Sequence, residues 1–250
     1  MNKPELIYDE EFFVFSTDKL NDFNKEFINY TKQRYEILKD LFGVESFRKL
    51  SFVLFDNLTD YQNDYINRNK STPPSYSRGN FTNNGAYICV DRQLIPGSDF
   101  FNKKRASGAH EAFHIFYREF VYGKNNERRI VWFDEGMAQF FSGQKDSMSE
   151  EGFRKFYSKF KRNYKPITNL NERIQGNLQI PDDKIFSREG IMDGYAISYL
   201  AIRYLAETKG IDYLKEVMRD NQRILEIGKN VIKELTSYYD EKLLCRDEER

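Results

Sequence analysis

Gly108-Ala109-His110-Glu111-Ala112-Phe113-His114-Ile115-Phe116 contains both histidines of the 250-residue chain. Two residues placed at random in a chain of this length fall four positions apart in about 0.8% of arrangements, so the spacing is a signal in itself. At 3.6 residues per turn, a separation of four sets both imidazoles on one helix face. Their Cβ atoms are then about 5–6 Å apart, close enough to share one ion. Glu111 lies toward the adjoining side, where a carboxylate makes a poor third ligand from the same turn but reaches a water held by the ion and takes its proton. Ala109, Phe113, Phe116 and Phe120 form an apolar stripe that anchors the helix, so the ligand face and the packing face differ. The plainer reading is two helix histidines beside an ordinary surface glutamate. Choosing between the two needs a third ligand and further catalytic groups.

Working outward, Glu135 follows within Val131-Trp132-Phe133-Asp134-Glu135-Gly136-Met137-Ala138-Gln139-Phe140-Phe141, where an apolar approach leads into a new helix. A His, His, Glu set leaves the fourth tetrahedral position to water, the open arrangement that catalytic zinc sites need. Asp134 has the chemistry of an N-cap for that helix. Gln139, four residues beyond Glu135 on the same face, either hydrogen-bonds a ligand from outside or is solvated.

The flanking sequence gives the organisation. Leu6 to Phe15 reads as a strand and Asp18 to Leu41 as a long helix ending at Gly43. Leu50 to Phe55 reads as a buried strand, and Leu58 to Ile66 as a shorter helix. From Asn69 to Gly85 the chain is dominated by Ser, Pro, Asn and Gly and reads as a surface loop, followed by a strand over Ala86 to Asp91. The histidine helix is expected over Ala106 to Tyr122, stopping at Gly123, and the next from Asp134 to Gly143. Later helices are expected over Ser149 to Arg162, Asp193 to Glu207, Ile211 to Asp220 and Val231 to Tyr239, with Pro166 and Pro181 in the irregular segments. Mixed strand and helix first, helices afterwards, predicts one α+β domain of two lobes, about 1–143 and 144–250.

Lys+Arg 39 against Asp+Glu 39 leaves a formal net charge of +0, which removes the electrostatic basis for a nucleic-acid binder. Lys103-Lys104-Arg105 and Arg128-Arg129 then read as solvated faces. Seventeen tyrosines and 22 phenylalanines indicate a folded, aromatic-rich core. Cys89 and Cys245 have no Cys-x-x-Cys spacing, so both are expected as thiols, not as a disulfide framework or a cysteine zinc site. The acidic start MNKPELIYDEEFFVF lacks the pattern of a secretory signal, and no run of about 18 apolar residues occurs, so a cytoplasmic location without membrane attachment is expected.

His110-Glu111-Ala112-Phe113-His114 followed by Trp132-Phe133-Asp134-Glu135-Gly136-Met137-Ala138 resembles the gluzincin metallopeptidases, particularly their compact peptidase-MA-like members, which have His-Glu-x-x-His and then Trp-x-x-Glu-Gly-x-Ala. The resemblance implies a thermolysin-like α+β zincin fold: an N-terminal sheet-and-helix lobe carrying the zinc helix, a C-terminal helical lobe, and an active-site cleft between them. It implies one Zn2+ ion on His110, His114 and Glu135, Glu111 as general base, and hydrolysis of a peptide or protein substrate. The family's oxyanion-binding phenol corresponds to Tyr195 in Asp193-Gly194-Tyr195-Ala196-Ile197-Ser198-Tyr199, with Tyr199 as the second choice and a packing tyrosine as the plainer reading. Gly85-Ala86-Tyr87 resembles the edge strand that holds substrate as an added strand. The Gly-x-Met-Glu-Asn motif with which the aminopeptidase branch grips a free amino terminus is absent. Two alternatives stand beside this reading: a catalytically silent interaction protein on the same scaffold, and a regulatory protease that cuts one protein partner.

Overall fold

A computed structural model of the chain describes residues 3–17, 22–73, 77–90, 95–122, 129–163, 169–173 and 188–244. The fold is α+β. The single strand expected over Leu6–Phe15 is two strands, β1 (Glu5–Asp9) and β2 (Phe13–Ser16), paired antiparallel with a bulge between Leu6 and Tyr8. The chain turns at Glu10 and Glu11, whose carboxylates instead meet Lys32 on the following helix at 3.0 and 3.5 Å. That helix, α1, spans Asp22–Phe42 and is followed by β3 (Ser51–Phe55) and α2 (Leu58–Asn69). Asn57 caps α2, its side chain accepting from the Asp60 backbone N–H.

The expected loop between Asn69 and Gly85 contains a strand, β4 (Gly79–Phe81), which forms a hairpin with β5 (Gly85–Cys89). Thr82 and Gly85 close the hairpin, the Thr82 N–H donating to the Gly85 carbonyl at 2.7 Å, which leaves Asn83 and Asn84 as its loop. The sheet order is β1-β2-β3-β5-β4, with β2, β3 and β5 parallel and an antiparallel strand on each side. Phe52 and Leu54 alternate with Val53 and Phe55, so the strands bury both faces. Phe52 meets Phe27 of α1, while Phe55 packs with Tyr61 of α2 and Cys89. Cys89 is a buried thiol; Cys245 lies outside the described residues.

The histidine helix begins within one residue of the expected Ala106 and runs to Tyr122, but a further short helix precedes it. α3 (Asp99–Arg105), capped by Ser98, is separated by Ala106 from α4 (Ser107–Tyr117), which continues as a π-helical turn over Arg118–Tyr122. Gly108 lets α4 sit against α1: a Cβ there would come within 2.6 Å of both Phe27 Cζ and Thr31 Oγ1. Phe113 and Phe116 pack on Phe42 and Tyr35, as the apolar stripe predicts.

α5 spans Val131–Phe141, starting three residues before the expected Asp134 because the buried Val131-Trp132-Phe133 run is itself helical. Then come α6 (Glu150–Asn163), a short α7 (Leu170–Arg173), α8 (Arg188–Lys209), α9 (Ile211–Val217) and α10 (Asn221–Leu244). α6 buries Phe153, Tyr157 and Phe160 along one stripe, with Phe153 and Tyr157 against Tyr239 of α10. Trp132 Nε1 donates to Asn171 Oδ1 at 3.0 Å, and Asn171 Nδ2 donates to the Leu225 carbonyl at 2.6 Å, which ties α5 to α7 and α10. Pro166 and Pro181 lie outside the described residues.

The chain separates into two compact units. One comprises Met1–Glu119 with Phe141–Ser147, the other Phe120–Phe140 with Met148–Arg250. Among the described residues, no helix is long and apolar enough to cross a membrane.

Candidate metal centre

On α4, His110 and His114 are both buried, and their rings stand at 88° with centroids 4.8 Å apart. Their Nε2 atoms approach to 3.2 Å. Two nitrogens bound at 2.0–2.1 Å to one tetrahedral zinc stand about 3.3 Å apart, so the pair already has the edge length of such a site. Ligand atoms of His110, His114 and Glu135 all lie within 4.8 Å of one another, and this buried set can hold a metal ion. It is the only such group of three or more among the described residues. Two imidazoles with one carboxylate suit zinc among several divalent ions.

Glu111 is half-buried on the side of α4 that faces β4. Its Oε1 is 3.3 Å from where a Cβ on Gly79 would stand, so the strand passes close over the carboxylate. Burial pushes the Tyr61 phenol up to about 12; the Ser77 hydrogen bond opposes this and the charge of Glu111 adds to it. Tyr61 OH and Ser77 Oγ are 2.8 Å apart, and Ser77 Oγ donates to the Gly79 carbonyl at 3.2 Å. A buried phenol therefore braces the backbone beside Glu111.

Glu135 is positioned by charge. Arg129 Nη2 donates to Glu135 Oε1 at 2.7 Å, while Arg129 Nε donates to Asp134 Oδ2. Burial pulls the pKa of Arg129 down, but the charges of Asp134 and Glu135 outweigh it, and the net direction is up. Asp134 is thus a fully buried partner of Arg129 inside α5, not the helix cap expected from sequence. Gln139 is buried too, which removes the solvated reading. Its Nε2 donates to the Glu135 carbonyl at 3.3 Å and to the Tyr195 carbonyl at 2.8 Å. It therefore joins the backbones of α5 and α8. Gly136 permits that crossing, since a Cβ there would stand 2.4 Å from the Ser198 carbonyl oxygen.

Tyr195 is half-buried, whereas Tyr199 is buried with its ring against Phe156, 6.2 Å between centroids. Of the two tyrosines, Tyr199 has the surroundings of a packing residue. Gly85, Ala86 and Tyr87 are in β5, which is hydrogen-bonded to β3 on one side and β4 on the other. Their expected place at the sheet edge is corrected: pairing with β4 takes up that side, and β4 is the outermost strand. Three features of the site escaped the sequence reading. β4 is masked by its loop-like composition. Arg129, which the charge balance reads as part of a solvated face, is instead the ion-pair partner of buried Asp134 and Glu135. Gly136 was read only as part of a motif.

No known protein-family model and no curated protein matches this chain.

Proposed function

We propose that the protein is a zinc-dependent peptidase of the gluzincin type, on a thermolysin-like scaffold, that hydrolyses peptide bonds with Glu111 as general base. The observation that carries this reading is the convergence of His110 Nε2 and His114 Nε2 to 3.2 Å, together with a carboxylate oxygen of Glu135 in the same buried cluster. Zinc, when held by those three side chains, supplies a Lewis acid that polarises the scissile carbonyl and makes water acidic near neutral pH.

The residues of the chain do the rest. Glu111 takes a proton from the attacking water on Oε1 as the water oxygen bonds to the carbonyl carbon. It returns that proton to the amine nitrogen as the carbon–nitrogen bond breaks. Tyr195 donates its hydroxyl to the carbonyl oxygen while negative charge grows there, a contribution of about 3 kcal/mol when such a donor is removed. β4 is the strand on which an extended substrate would be added, with Gly79, Asn80 and Phe81 offering the outer backbone groups. Arg129 and Gln139 orient Glu135, by its carboxylate and its backbone respectively.

The test is a bound-metal assay on purified protein combined with hydrolysis of a quenched fluorescent peptide library, with and without chelator. The expected result is stoichiometric zinc and chelator-sensitive cleavage. Glu111→Gln should keep the zinc and lose turnover by roughly 10²–10⁴-fold. Parental cleavage by Glu111→Gln, or a protein that takes up no divalent ion, overturns the proposal.

A further inference from the structure

We propose that Phe81, on β4, is a positioning residue for the metal centre, holding the His114 imidazole at the angle that aims Nε2 toward His110. This rests on the metal-binding part of the proposed function and extends it to a residue outside the ligand helices. The Phe81 and His114 rings are stacked, with centroids 5.1 Å apart and planes inclined by 24°. His114 also has His110 and Phe113 around it, at 88° and 76°, but both belong to α4. They move with the ligand. Phe81 is a ring contact that ties His114 to the sheet.

Rotation of an imidazole about its Cβ–Cγ bond sweeps Nε2 through space, and a flat ring along one face opposes that rotation. Phe81 is itself fixed. Its backbone pairs with Ala86 in the hairpin, and the guanidinium of Arg118 lies over its ring, 5.6 Å from the centroid. Arg118 Nη2 also donates to the Thr82 carbonyl at 3.3 Å, and Thr82 N–H donates to the Gly85 carbonyl at 2.7 Å. Metal-ligating histidines commonly owe their orientation to a polar partner outside the ligand set. Here an apolar ring from a neighbouring strand adds a restraint of its own and covers one face of the ligand.

Gly79 and Phe81 are two residues apart, so both project from the same side of β4, toward α4. The small residue falls opposite the Glu111 carboxylate and the large one on the His114 ring. Room is left where a carboxylate must move, and a wall stands where a ligand must not.

The test uses the full chain with Zn2+ and Co2+ as probes, reading affinity by competition with a chromophoric chelator and ligand geometry by the visible absorption of bound Co2+. Phe81→Leu should keep the parental far-UV circular dichroism, bind Zn2+ about tenfold more weakly, and change the Co2+ bands. Phe81→Tyr, which keeps the ring face, should restore both affinity and spectrum. Parental affinity and an unchanged Co2+ spectrum in Phe81→Leu overturn the inference while leaving the metal site standing. Equal loss in Phe81→Tyr and Phe81→Leu overturns it as well. A parent that binds neither ion overturns this inference and the proposed function together.

Discussion

The two helices that carry the candidate metal-binding side chains are held in place by different physics. α4 presents His110 and His114 from among rings, with Phe81 stacked on one ligand and Phe42, Tyr35 and Phe113 behind it. α5 presents Glu135 through ions and amides, with Arg129 donating to Glu135 and to Asp134 while Gln139 holds the backbone to α8. Both helices meet a partner through a glycine, but the obstacle differs. At Gly108 it is the side chains of Phe27 and Thr31, and at Gly136 it is first the carbonyl of Ser198, with the Ile202 side chain beside it. An imidazole can shed its charge and be buried in an apolar setting at modest cost, whereas a buried carboxylate that keeps its charge needs a countercharge. The division of labour thus follows from the chemistry of the ligands themselves.

If charge organises the α5 side, removing the countercharge should be the most costly single change. Arg129→Met leaves Asp134 and Glu135 buried without their guanidinium, for an expected loss of about 3 kcal/mol in urea-unfolding stability. Saturating Zn2+ should recover part of that loss, because a divalent ion replaces the missing positive charge. A variant destabilised equally with and without Zn2+ would show that Arg129 acts by packing, and the contrast with α4 would fail.

On the α4 side the corresponding experiment removes a ligand. A ligand that binds only the folded state stabilises it by about 2.7 kcal/mol at a free concentration one hundred times its dissociation constant. The parent should gain that much from Zn2+, and His114→Ala should gain almost none at the same concentration, measured against its own metal-free stability, which the loss of a buried ring lowers. An undiminished gain in His114→Ala would remove this residue from the ligand set.

How much of this was legible in sequence divides along the same line. The histidine pair follows from helical periodicity, which depends only on positions within one segment, and the aromatic stripe with Phe113 and Phe116 follows for the same reason. Glu135 was legible as a residue but not as an ion-pair partner, because Arg129 precedes the helix and no repeat distance links the two. Asp134 was assigned to capping since its short carboxylate fits that role, but the buried Val131-Trp132-Phe133 run started α5 earlier and carried Asp134 inside. β4 was missed because three residues with glycine and asparagine among them carry little strand propensity; pairing with β5 makes the strand. Likewise, Tyr87 alternates as any edge strand would, and only the sheet order reveals that β5 is interior.

The two glycines extend the comparison to the backbone. Gly136→Ala should cost about 2 kcal/mol, since its Cβ would meet the Ser198 carbonyl at 2.4 Å and a carbonyl within α8 moves only with its helix. The unfolding midpoint in urea measures this, and a parental midpoint would mean that α5 and α8 are free to separate slightly. Because Gln139 ties the same helices, the double variant Gly136→Ala, Gln139→Ala should depart from additivity.

Gly108→Ala is expected to be the mildest of the four, at about 1 kcal/mol, because side chains and not backbone stand in the way. Replacing glycine by alanine inside a helix also gains roughly 1 kcal/mol in propensity, which offsets part of the clash. The obstacle can be removed separately. Thr31 Oγ1 is fully buried with no hydrogen-bond partner, so its loss sacrifices no bond, and Thr31→Ala clears one of the two atoms that crowd the new methyl. A double-mutant cycle of Gly108→Ala with Thr31→Ala should therefore show a favourable coupling of about 1 kcal/mol. No single side-chain truncation gives the same relief at Gly136, where the nearest obstructing atom is a main-chain oxygen and would remain even if Ile202 were shortened. Additive behaviour at Gly108 would place its constraint in the backbone too, and the two ligand helices would then be seated alike.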